Sequence, residues 1–432
     1  WSTTSVIGAF GWVAGAGSTV SKPLTRTVCL VSPGHLSSNP RLVKEAHALR
    51  SASYHVTVAV SDQVPWFSEL DQAMPESREL TGPRLLRQPT WRRRLARLRQ
   101  EGYRVMLRIV FHLKLKPGRW LLAEAFQPAC RRLRAALRET DFDLVIAHNL
   151  AALPAAAEVA TDRGVPYAFD AEDSHVDELH EHQHFERRLR TALERAYLPG
   201  AAYVSASSPG IAEVLQQRYA VAAEVILNVF PQPRSPLSPP PPLAQRPDQP
   251  IRFFWFSQTI GPDRGLQSLL EVAGALRRPV ALTLVGKPVP GFDRELDAEA
   301  ERYRVQLRLM SLVPPDDLYE LAAAHDCGLA LEPTAPPNRD LCLVNKIFTY
   351  LAVGLPCLLS KTGAHQDLAP QLGAAAQLVD NPMDPAVLNR WIDDHVAPGR
   401  AAAAARAAFN DRFNWQRESE RYLACVRGAL KK

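Results

Sequence analysis

The sequence predicts an α/β protein with two doubly wound domains that face each other across a cleft. Short apolar runs that end in turn residues alternate with segments of helical periodicity, which is typical of parallel sheets flanked by helices. This alternation stops at residues 231–250, where nine of the twenty residues are proline, and then resumes. The length of 432 residues, with 46% hydrophobic and 22% charged residues, suits two globular domains.

These observations divide the chain into five parts. Residues 1–25 carry one lysine and no acid, and we treat them as a tail outside the fold. Residues 26–230 form the first predicted domain, and residues 231–250 form a proline-rich linker. Residues 251–412 form the second predicted domain. Residues 413–432 have the pattern of an amphipathic helix.

Each domain is predicted from its own series of strands and helices. Asn39 is a plausible N-cap with Pro40 at the first helical position, so the first unit is strand, helix, strand. Predicted strands lie at 26–34, 55–61, 143–149, 165–173, 202–207, 224–230, 251–258, 280–286, 327–333 and 355–360. Because ligands of such sheets bind at the carboxyl ends of strands, the loops that follow them are candidate sites.

The segment 84–138 carries most of the positive charge. It contains 16 Arg or Lys residues and only two acids, whereas the whole chain has a net charge of +6. Its mixture of Arg with Leu, Trp, Tyr and Phe suits an amphipathic helix at a membrane surface, and a solvated helical insertion fits equally well. No recognised nucleic-acid-binding module surrounds it, so nucleic acid is not an expected partner.

Cysteine and histidine usage argues against structural metal. The six cysteines have no CxxC spacing and suit buried free thiols in a reducing, cytoplasmic compartment. His180, His182 and His184 lie two residues apart, a spacing that does not share one helical face, so a solvated segment is favoured over zinc. No run of 18 apolar residues is present.

Two strand-to-helix connections of the second domain predict an anion site. In "SQTIGPDRGL", Gly261 permits a tight turn and Arg264 offers a positive fork near a helix N-terminus. In "NKIFTYLAVGLP", Asn345 and Lys346 stand at a helix start, where free N–H groups bind phosphate oxygens. Gly286 ends a further strand, with a weaker signal.

The first domain offers polar groups at its own strand ends. The glycine-containing loop at 32–41 either approaches a ligand or merely turns the chain. His148 ends a strand and is expected to face the cleft, although a lone histidine is more often structural. Asp170, Glu172 and Asp173 end the next strand and suit a base, hydroxyl binding or helix caps.

Taken in order, these segments resemble the bacterial glycosyltransferases of the GT-B fold, in particular the large retaining, nucleotide-sugar-dependent group (glycosyltransferase family 4-like). The segments are "NPRLVKEAHALRSASYHVTVAV", "DLVIAHNLAALPAA", "FSQTIGPDRGL" and "NKIFTYLAVGLPCLLS", with "VSASSPGIAEVLQQRYA" and "VILNVF" between them. The resemblance implies two Rossmann-like domains, acceptor binding in the first, donor binding in the second, no metal or other cofactor, and a final helix that crosses back to the first domain.

The resemblance also implies roles for individual residues. His148, Arg264 and Lys346 are the expected catalytic group. The expected donor-binding residues are Gly34, Thr259, Gly261, Arg264, Gly286, Glu332, Asn345, Lys346 and Thr349. The expected acceptor-binding residues are His35, Asn149, Asp170, Glu172 and Asp173.

The chain departs from the family pattern at three positions. The usual pair of glutamates eight residues apart is replaced by Leu341 and Thr349, and a customary arginine by Thr259. The contact that the second glutamate makes to the donor is therefore absent or relocated, with Glu332 or Asp340 as replacements.

The resemblance implies transfer of a sugar from a nucleotide-sugar donor to a glycan or lipid-linked acceptor in polysaccharide or glycolipid synthesis. The enzyme is expected in the cytoplasm, with peripheral contact to the inner face of the membrane. Two alternatives stay open: a sugar-nucleotide epimerase of the same fold, and a catalytically weak nucleotide-binding module recruited to membranes.

Overall fold

The computed structural model describes residues 25–62, 68–69, 71–72, 74, 79–233, 237, 239–262 and 264–431. The predicted tail therefore lies outside the described residues except for Thr25. Residues 234–236 and 238 of the proline-rich linker lie outside them as well.

The described part of the first domain contains a parallel sheet flanked by helices. Its strands are β1 (Thr27–Val31), β2 (His55–Asp62), β3 (Arg84–Leu86), β4 (Leu144–His148), β5 (Tyr167–Ala171), β6 (Val204–Ala206) and β7 (Ala223–Val225). Its helices are α1 (Pro40–Ser51), α2 (Thr90–His112), α3 (Arg119–Phe126), α4 (Pro128–Arg138), α5 (Leu153–Arg163), α6 (His184–Tyr197) and α7 (Pro209–Tyr219). The strand order is β3-β2-β1-β4-β5-β6-β7.

The described part of the second domain has the same architecture. Its strands are β8 (Ile251–Ile260), β9 (Val280–Pro288), β10 (Gln306–Met310), β11 (Cys327–Ala330), β12 (Cys357–Ser360) and β13 (Ala376–Val379). Its helices are α8 (Leu266–Ala273), α9 (Phe292–Tyr303), α10 (Pro315–Ala323), α11 (Asn338–Leu341), α12 (Asn345–Ala352), α13 (Gly363–Leu372), α14 (Pro385–Trp391), α15 (Arg400–Asp411) and α16 (Trp415–Ala429). The parallel order β10-β9-β8-β11-β12-β13 completes the second half of the predicted fold class, which is confirmed.

Local sequence accounts for the clearest elements. Asn39 caps α1, because its Oδ1 accepts a hydrogen bond from the backbone N–H of Leu42 at 3.0 Å. Pro40 occupies the first turn, where its missing N–H costs nothing. All five residues of β4 are buried, as expected for a central parallel strand covered on both faces.

The predicted strand at 224–230 is wrong in its extent. Only Ala223–Val225 form β7, and the chain leaves the sheet after Ile226, whose backbone N–H still donates to the Ala206 carbonyl of β6 at 2.9 Å. The backbone N–H of Leu227 donates to Glu418 of α16 at 3.0 Å instead of to a neighbouring strand. An apolar run with a strand-like composition therefore serves here as a buried connection towards the second domain.

The basic segment is more closely integrated than a helical insertion. Arg84–Leu86 supply the edge strand β3, and α4 places Cys130, Leu133 and Leu137 in the core beside β4. Within this segment, α2 carries most of the exposed large hydrophobic side chains. The prediction of a separate insertion over 84–138 is therefore wrong, because apolar residues on α3 and α4 are needed to cover the sheet.

The final helix lies against the first domain. The backbone N–H of Trp415 donates to the Phe230 carbonyl at 3.0 Å, and Arg421 pairs with Glu224 at 2.7 Å. Tyr422 is buried in a core cluster that contains α1 residues such as Leu42. One continuous apolar cluster thus joins residues from both domains, which fixes how the two sheets face each other.

Candidate active site

The two domains meet at the carboxyl ends of their sheets through the short helix α11. The Asn338 side chain accepts from the Ser174 backbone N–H at 2.8 Å and donates to Asp173 at 2.9 Å. Its backbone N–H donates to the Asp177 carbonyl at 3.0 Å. The segment after β11 is therefore anchored to the loop after β5 of the other domain.

Beside this contact, three cations converge on one buried carboxylate of the second domain. Glu332 follows β11, and its side chain is 1% exposed. Its Oε1 accepts from Lys346 Nζ at 2.8 Å, and its Oε2 accepts from Arg264 at 2.7 Å and Arg339 at 2.5 Å. We call these four side chains the cation corner, and it carries more positive than negative charge.

The charges of the cation corner set the ionisation of its members. Burial opposes ionisation of Glu332, but Lys346, Arg264 and Arg339 outweigh it and lower the pKa of the carboxyl to about 2. Burial, together with the two arginines, lowers the pKa of Lys346 despite the attraction of Glu332. The corner therefore holds its cations at an energetic cost that an additional anion would relieve.

Lys346 lies in the first turn of α12. The eight-residue helix begins at Asn345, which is exposed and accepts from Asn228 of the interdomain connection at 2.9 Å. Thr349 is buried, and its hydroxyl donates back to the Asn345 carbonyl at 3.3 Å. The family that this chain resembles has a glutamate at this position. Here the position carries a threonine whose hydroxyl bonds to the backbone of its own helix.

The remaining predicted donor residues lie in loops at strand ends. Thr259 is exposed at the end of β8, past a register irregularity between Phe256 and Thr259. Gly286 has φ +157°, and a side chain there would come within 2.5 Å of the Ser257 carbonyl, so this close approach requires glycine. Gly34 and Gly261 are half-buried in the loops after β1 and β8.

The first domain holds a second charge cluster, but it is closed. His148 is 0% exposed, so the expectation that it faces the cleft is wrong. Its Nε2 lies 3.3 Å from Glu45, and its Nδ1 lies 3.4 Å from Asp170 and 3.2 Å from Glu172. Arg41 binds Asp170 with two hydrogen bonds of 2.6 and 2.7 Å. We call these five side chains the histidine cluster.

The histidine cluster balances its charges internally. Burial favours neutral His148, but Glu45 and the other carboxylates outweigh it and hold its pKa well above the ordinary value. Burial raises the pKa of Glu45, although His148 and Arg41 beside it act in the opposite direction. Arg41 and His148 are thus paired with the acids of the same cluster, Asp170 and Glu172 among them.

The same cluster contains a possible set of metal ligands. Among the described residues, Glu45, His148 and Asp170 are the one group whose ligand atoms all lie within 4.8 Å of one another. Both Asp170 oxygens, however, accept hydrogen bonds from the Arg41 guanidinium. A metal ion would have to displace that cation, so we interpret the group as an ion-pair network.

The predicted acceptor residues are divided between three environments. Asp170 belongs to the histidine cluster, where it has no exposed oxygen, and buried His35 pairs with Asp71 at 3.2 Å. Asp173 is engaged by Asn338 at the interdomain contact. Glu172 is partly exposed, and Asn149 is exposed in the left-handed conformation, φ +69°. Of the predicted acceptor residues, Asn149 is thus exposed, and Glu172 and Asp173 are partly exposed.

Comparison with known proteins supports the same architecture. Residues 38–229 match the family model of the glycosyl transferase 4-like domain. The first domain is therefore a glycosyl transferase 4-like domain. No curated protein sequence is similar enough to match it.

Several solved structures share the fold of this chain. HepE from Anabaena in complex with UDP has a TM-score of 0.66 at 17% identity, covering 93% of this chain and 99% of HepE. Sucrose-phosphate synthase from Thermosynechococcus elongatus has a TM-score of 0.64 at 15% identity, covering 93% and 98%. A glycosyltransferase from Rickettsia africae has a TM-score of 0.63 at 13% identity, covering 95% and 100%. At these identities, the likeness concerns the fold alone.

Sequence reasoning missed several charged residues of the two clusters. Arg339 stands in the irregular segment "PPNRDL", where nothing in the local pattern distinguishes it from a solvated arginine. Arg41 and Glu45 did leave a signal, because an i,i+4 charge pair on a helix that must cover a sheet indicates a buried partner.

Proposed function

We propose that this glycosyltransferase moves a sugar from a nucleotide-sugar donor to an acceptor hydroxyl with retention of anomeric configuration, in synthesis of cell-envelope polysaccharide or glycolipid. The observation that carries the proposal is the cation corner. Arg264, Arg339 and Lys346 converge beside the N-terminus of α12, and one carboxylate, Glu332, offsets only part of their charge. Such a surplus at a helix start is suited to a diphosphate.

Three structures of HepE support the donor class. These structures contain UDP, UDP with glucose, and UDP-glucose, and each has the fold described above. The uridine nucleotide and the glucosyl group belong to HepE, and they are the first probes to try on this chain.

The chemistry assigned to the cation corner is stabilisation of the leaving group. The bond between the anomeric carbon and the diphosphate oxygen breaks, and that oxygen takes both electrons while the carbon gains positive charge. The acceptor oxygen attacks from the same face, and its proton passes to the departing phosphate. Cations aimed at the developing phosphate charge lower the barrier, and the reaction requires no side-chain base and no metal.

A donor panel tests this assignment. UDP-, GDP-, ADP- and dTDP-sugars are compared by thermal shift, because a ligand that binds only the folded state raises the melting temperature. One of them is expected to stabilise the protein and to release its sugar to an acceptor, with the product anomer read by NMR. Failure of every donor to bind would overturn the proposal.

The same panel separates the alternatives. An epimerase converts the donor sugar without any acceptor. A catalytically weak binding module binds the nucleotide without releasing sugar, and the replacement of the usual glutamates by Leu341 and Thr349 is the feature that favours it.

We also propose that α2 contacts an anionic membrane surface. Trp91, Leu95, Leu98, Val105 and Ile109 follow one another at helical spacings of three, four or seven residues, and each is 52–71% exposed. Leu107 and Phe111 on another face of the helix are buried in the core. Because the first face is unneeded for folding and stands among many arginines, it suits insertion between acidic lipid headgroups.

Vesicle co-sedimentation tests the membrane proposal. Vesicles of phosphatidylcholine with and without phosphatidylglycerol are compared. The double variant Leu95→Glu, Leu98→Glu is expected to lose binding to the anionic vesicles. Leu312→Glu, at an exposed leucine of the second domain, is the matched control. Equal binding by both variants would contradict the proposal. None of the described helices combines the length and the apolar character needed to cross a bilayer.

A further inference from the structure

Arg339 occupies an unusual position between the cation corner and the domain interface. Its guanidinium lies 2.5 Å from Glu332 Oε2 and is about one-third exposed. The preceding residue, Asn338, makes three hydrogen bonds to the first domain. One four-residue helix, α11, therefore carries both a donor-site cation and the principal polar contact between the domains.

Glu332 itself is placed where it competes with a phosphate group. Both of its oxygens accept hydrogen bonds from cations: Lys346 on Oε1, and Arg264 and Arg339 on Oε2. Because the side chain is also only 1% exposed, neither oxygen is presented to a ribose hydroxyl in this arrangement, and Glu332 does not substitute for the glutamate replaced by Thr349. Its geometry is that of an internal anion that holds arginines until another anion arrives.

The two arginines differ from Lys346 in how readily they can turn outward. Lys346 is buried, whereas the side chains of Arg264 and Arg339 are 22% and 34% exposed. Arg264 is attached to the loop before α8 and thus to the second domain alone. Arg339 is the one whose backbone is fixed to the first domain through Asn338.

We propose that Arg339 is a third diphosphate-binding cation, held in reserve by Glu332, and that its attachment to α11 couples donor binding to the contact between the domains. This inference rests on the proposed function. When a diphosphate enters, Arg339 exchanges its bond to Glu332 for a bond to a phosphate oxygen. The segment 333–344 then follows the guanidinium and carries the change to the loop after β5.

Inorganic pyrophosphate and UDP are the probes, because pyrophosphate reports the cation corner independently of the base and sugar. Affinities are measured by calorimetry on the full chain. Arg339→Ala is expected to weaken both ligands about 10- to 100-fold, as for loss of a charged hydrogen bond. Arg339→Lys restores part of the affinity. Arg277→Ala is the matched control, since this exposed arginine also pairs with one carboxylate.

Glu332→Gln tests whether Glu332 holds the arginines in place of a phosphate. Removing the internal anion frees the arginines, so pyrophosphate is expected to bind about 10-fold more tightly than to the wild type. Unchanged or weaker binding by a variant whose melting transition shows that it is folded would overturn the role given to Glu332.

Asn338→Ala tests the coupling, because its side chain contacts the first domain and none of the cations. It is expected to weaken pyrophosphate binding about 3-fold or more. The inference would be contradicted if Arg339→Ala and Asn338→Ala both bound pyrophosphate with wild-type affinity while Lys346→Ala lost binding. The donor-site assignment would then still stand. If the wild-type protein bound neither pyrophosphate nor UDP, by contrast, the donor-site assignment itself would be contradicted.

Discussion

The histidine cluster and the cation corner lie at corresponding strand ends of the two domains, yet they are built differently. In the histidine cluster, Arg41 and His148 are matched by Asp170 and Glu172, and His148 is fully buried. In the cation corner, Glu332 faces three cations, and Arg339 remains one-third exposed. A balanced, closed network stabilises a fold, whereas a partly exposed surplus of charge is available for a ligand.

The largest expected effect is the fall in the free energy of unfolding when the histidine cluster is disrupted. Arg41→Ala leaves Asp170 buried without its strongest partner, so the free energy of unfolding should fall by about 3–5 kcal/mol. Urea denaturation measures it. Arg26→Ala, at an exposed pair with Asp143, is the matched control and should cost about 0–1 kcal/mol. Similar costs for both variants would contradict the structural role of the cluster.

Removal of Lys346 should affect activity more than stability. Lys346→Ala is expected to lower kcat/KM about 10²- to 10³-fold, because it removes a cation aimed at the leaving group. Its free energy of unfolding should fall by less than that of Arg41→Ala, since Glu332 keeps two arginines. Lys361→Ala, at an exposed pair with Asp380, serves as the control in the same assay. A stability loss as large as that of Arg41→Ala would remove the contrast between the two regions.

The contributions of the two regions to stability should also be lost at opposite ends of the pH scale. Glu332 has its pKa lowered to about 2, so its contribution is complete above about pH 4.3 and is lost as the pH falls towards 2; it amounts to roughly 3 kcal/mol. His148 has a raised pKa, so its contribution is complete below about pH 6.5 and is lost as the pH rises through the folded-state pKa.

Melting temperatures from pH 2 to 10 check both signs. The difference between wild type and Glu332→Gln should shrink as the pH falls below 4.3. The difference between wild type and His148→Asn should shrink as the pH rises above 6.5. Parallel curves for a variant and the wild type would show that the pKa of the replaced group is not shifted in the stated direction.

The smallest expected effect is at Thr349. Its hydroxyl makes one long hydrogen bond to the Asn345 carbonyl within the same helix, so Thr349→Val should change the free energy of unfolding by less than about 1 kcal/mol. Donor affinity should stay within 2-fold in the calorimetric assay. A larger loss of affinity would make Thr349 a donor contact and bring α12 closer to the pattern of the resembling family.

Much of the fold could be read from local sequence. The alternation of strands and helices and the proline-rich break predicted two doubly wound domains, and the cap at Asn39 marked the start of α1. Residues Leu227 and Val229 show where this fails. Their apolar composition suits a strand, but α16, almost two hundred residues later, supplies the partner of Leu227 instead.

The candidate site divides in the same way. Helix-start chemistry was sufficient to select Lys346, and glycine with arginine after a strand selected Arg264. Arg339 could not be selected, because its role depends on a carboxylate seven residues earlier and on a domain interface. His148 was selected, but its exposure was not predictable, since Glu45, Asp170 and Glu172 come from α1 and β5 to enclose it.

The sequence by itself thus determined the periodicity, the strand ends and the residue types available at each, since these depend on neighbours along the chain. The tertiary structure alone decided which charges meet. It matched Arg41 and His148 of the histidine cluster with acids and left a surplus of positive charge around Glu332 in the second domain. The physical reason is that burial and pairing energies depend on distances between residues far apart in the chain, which no local pattern encodes.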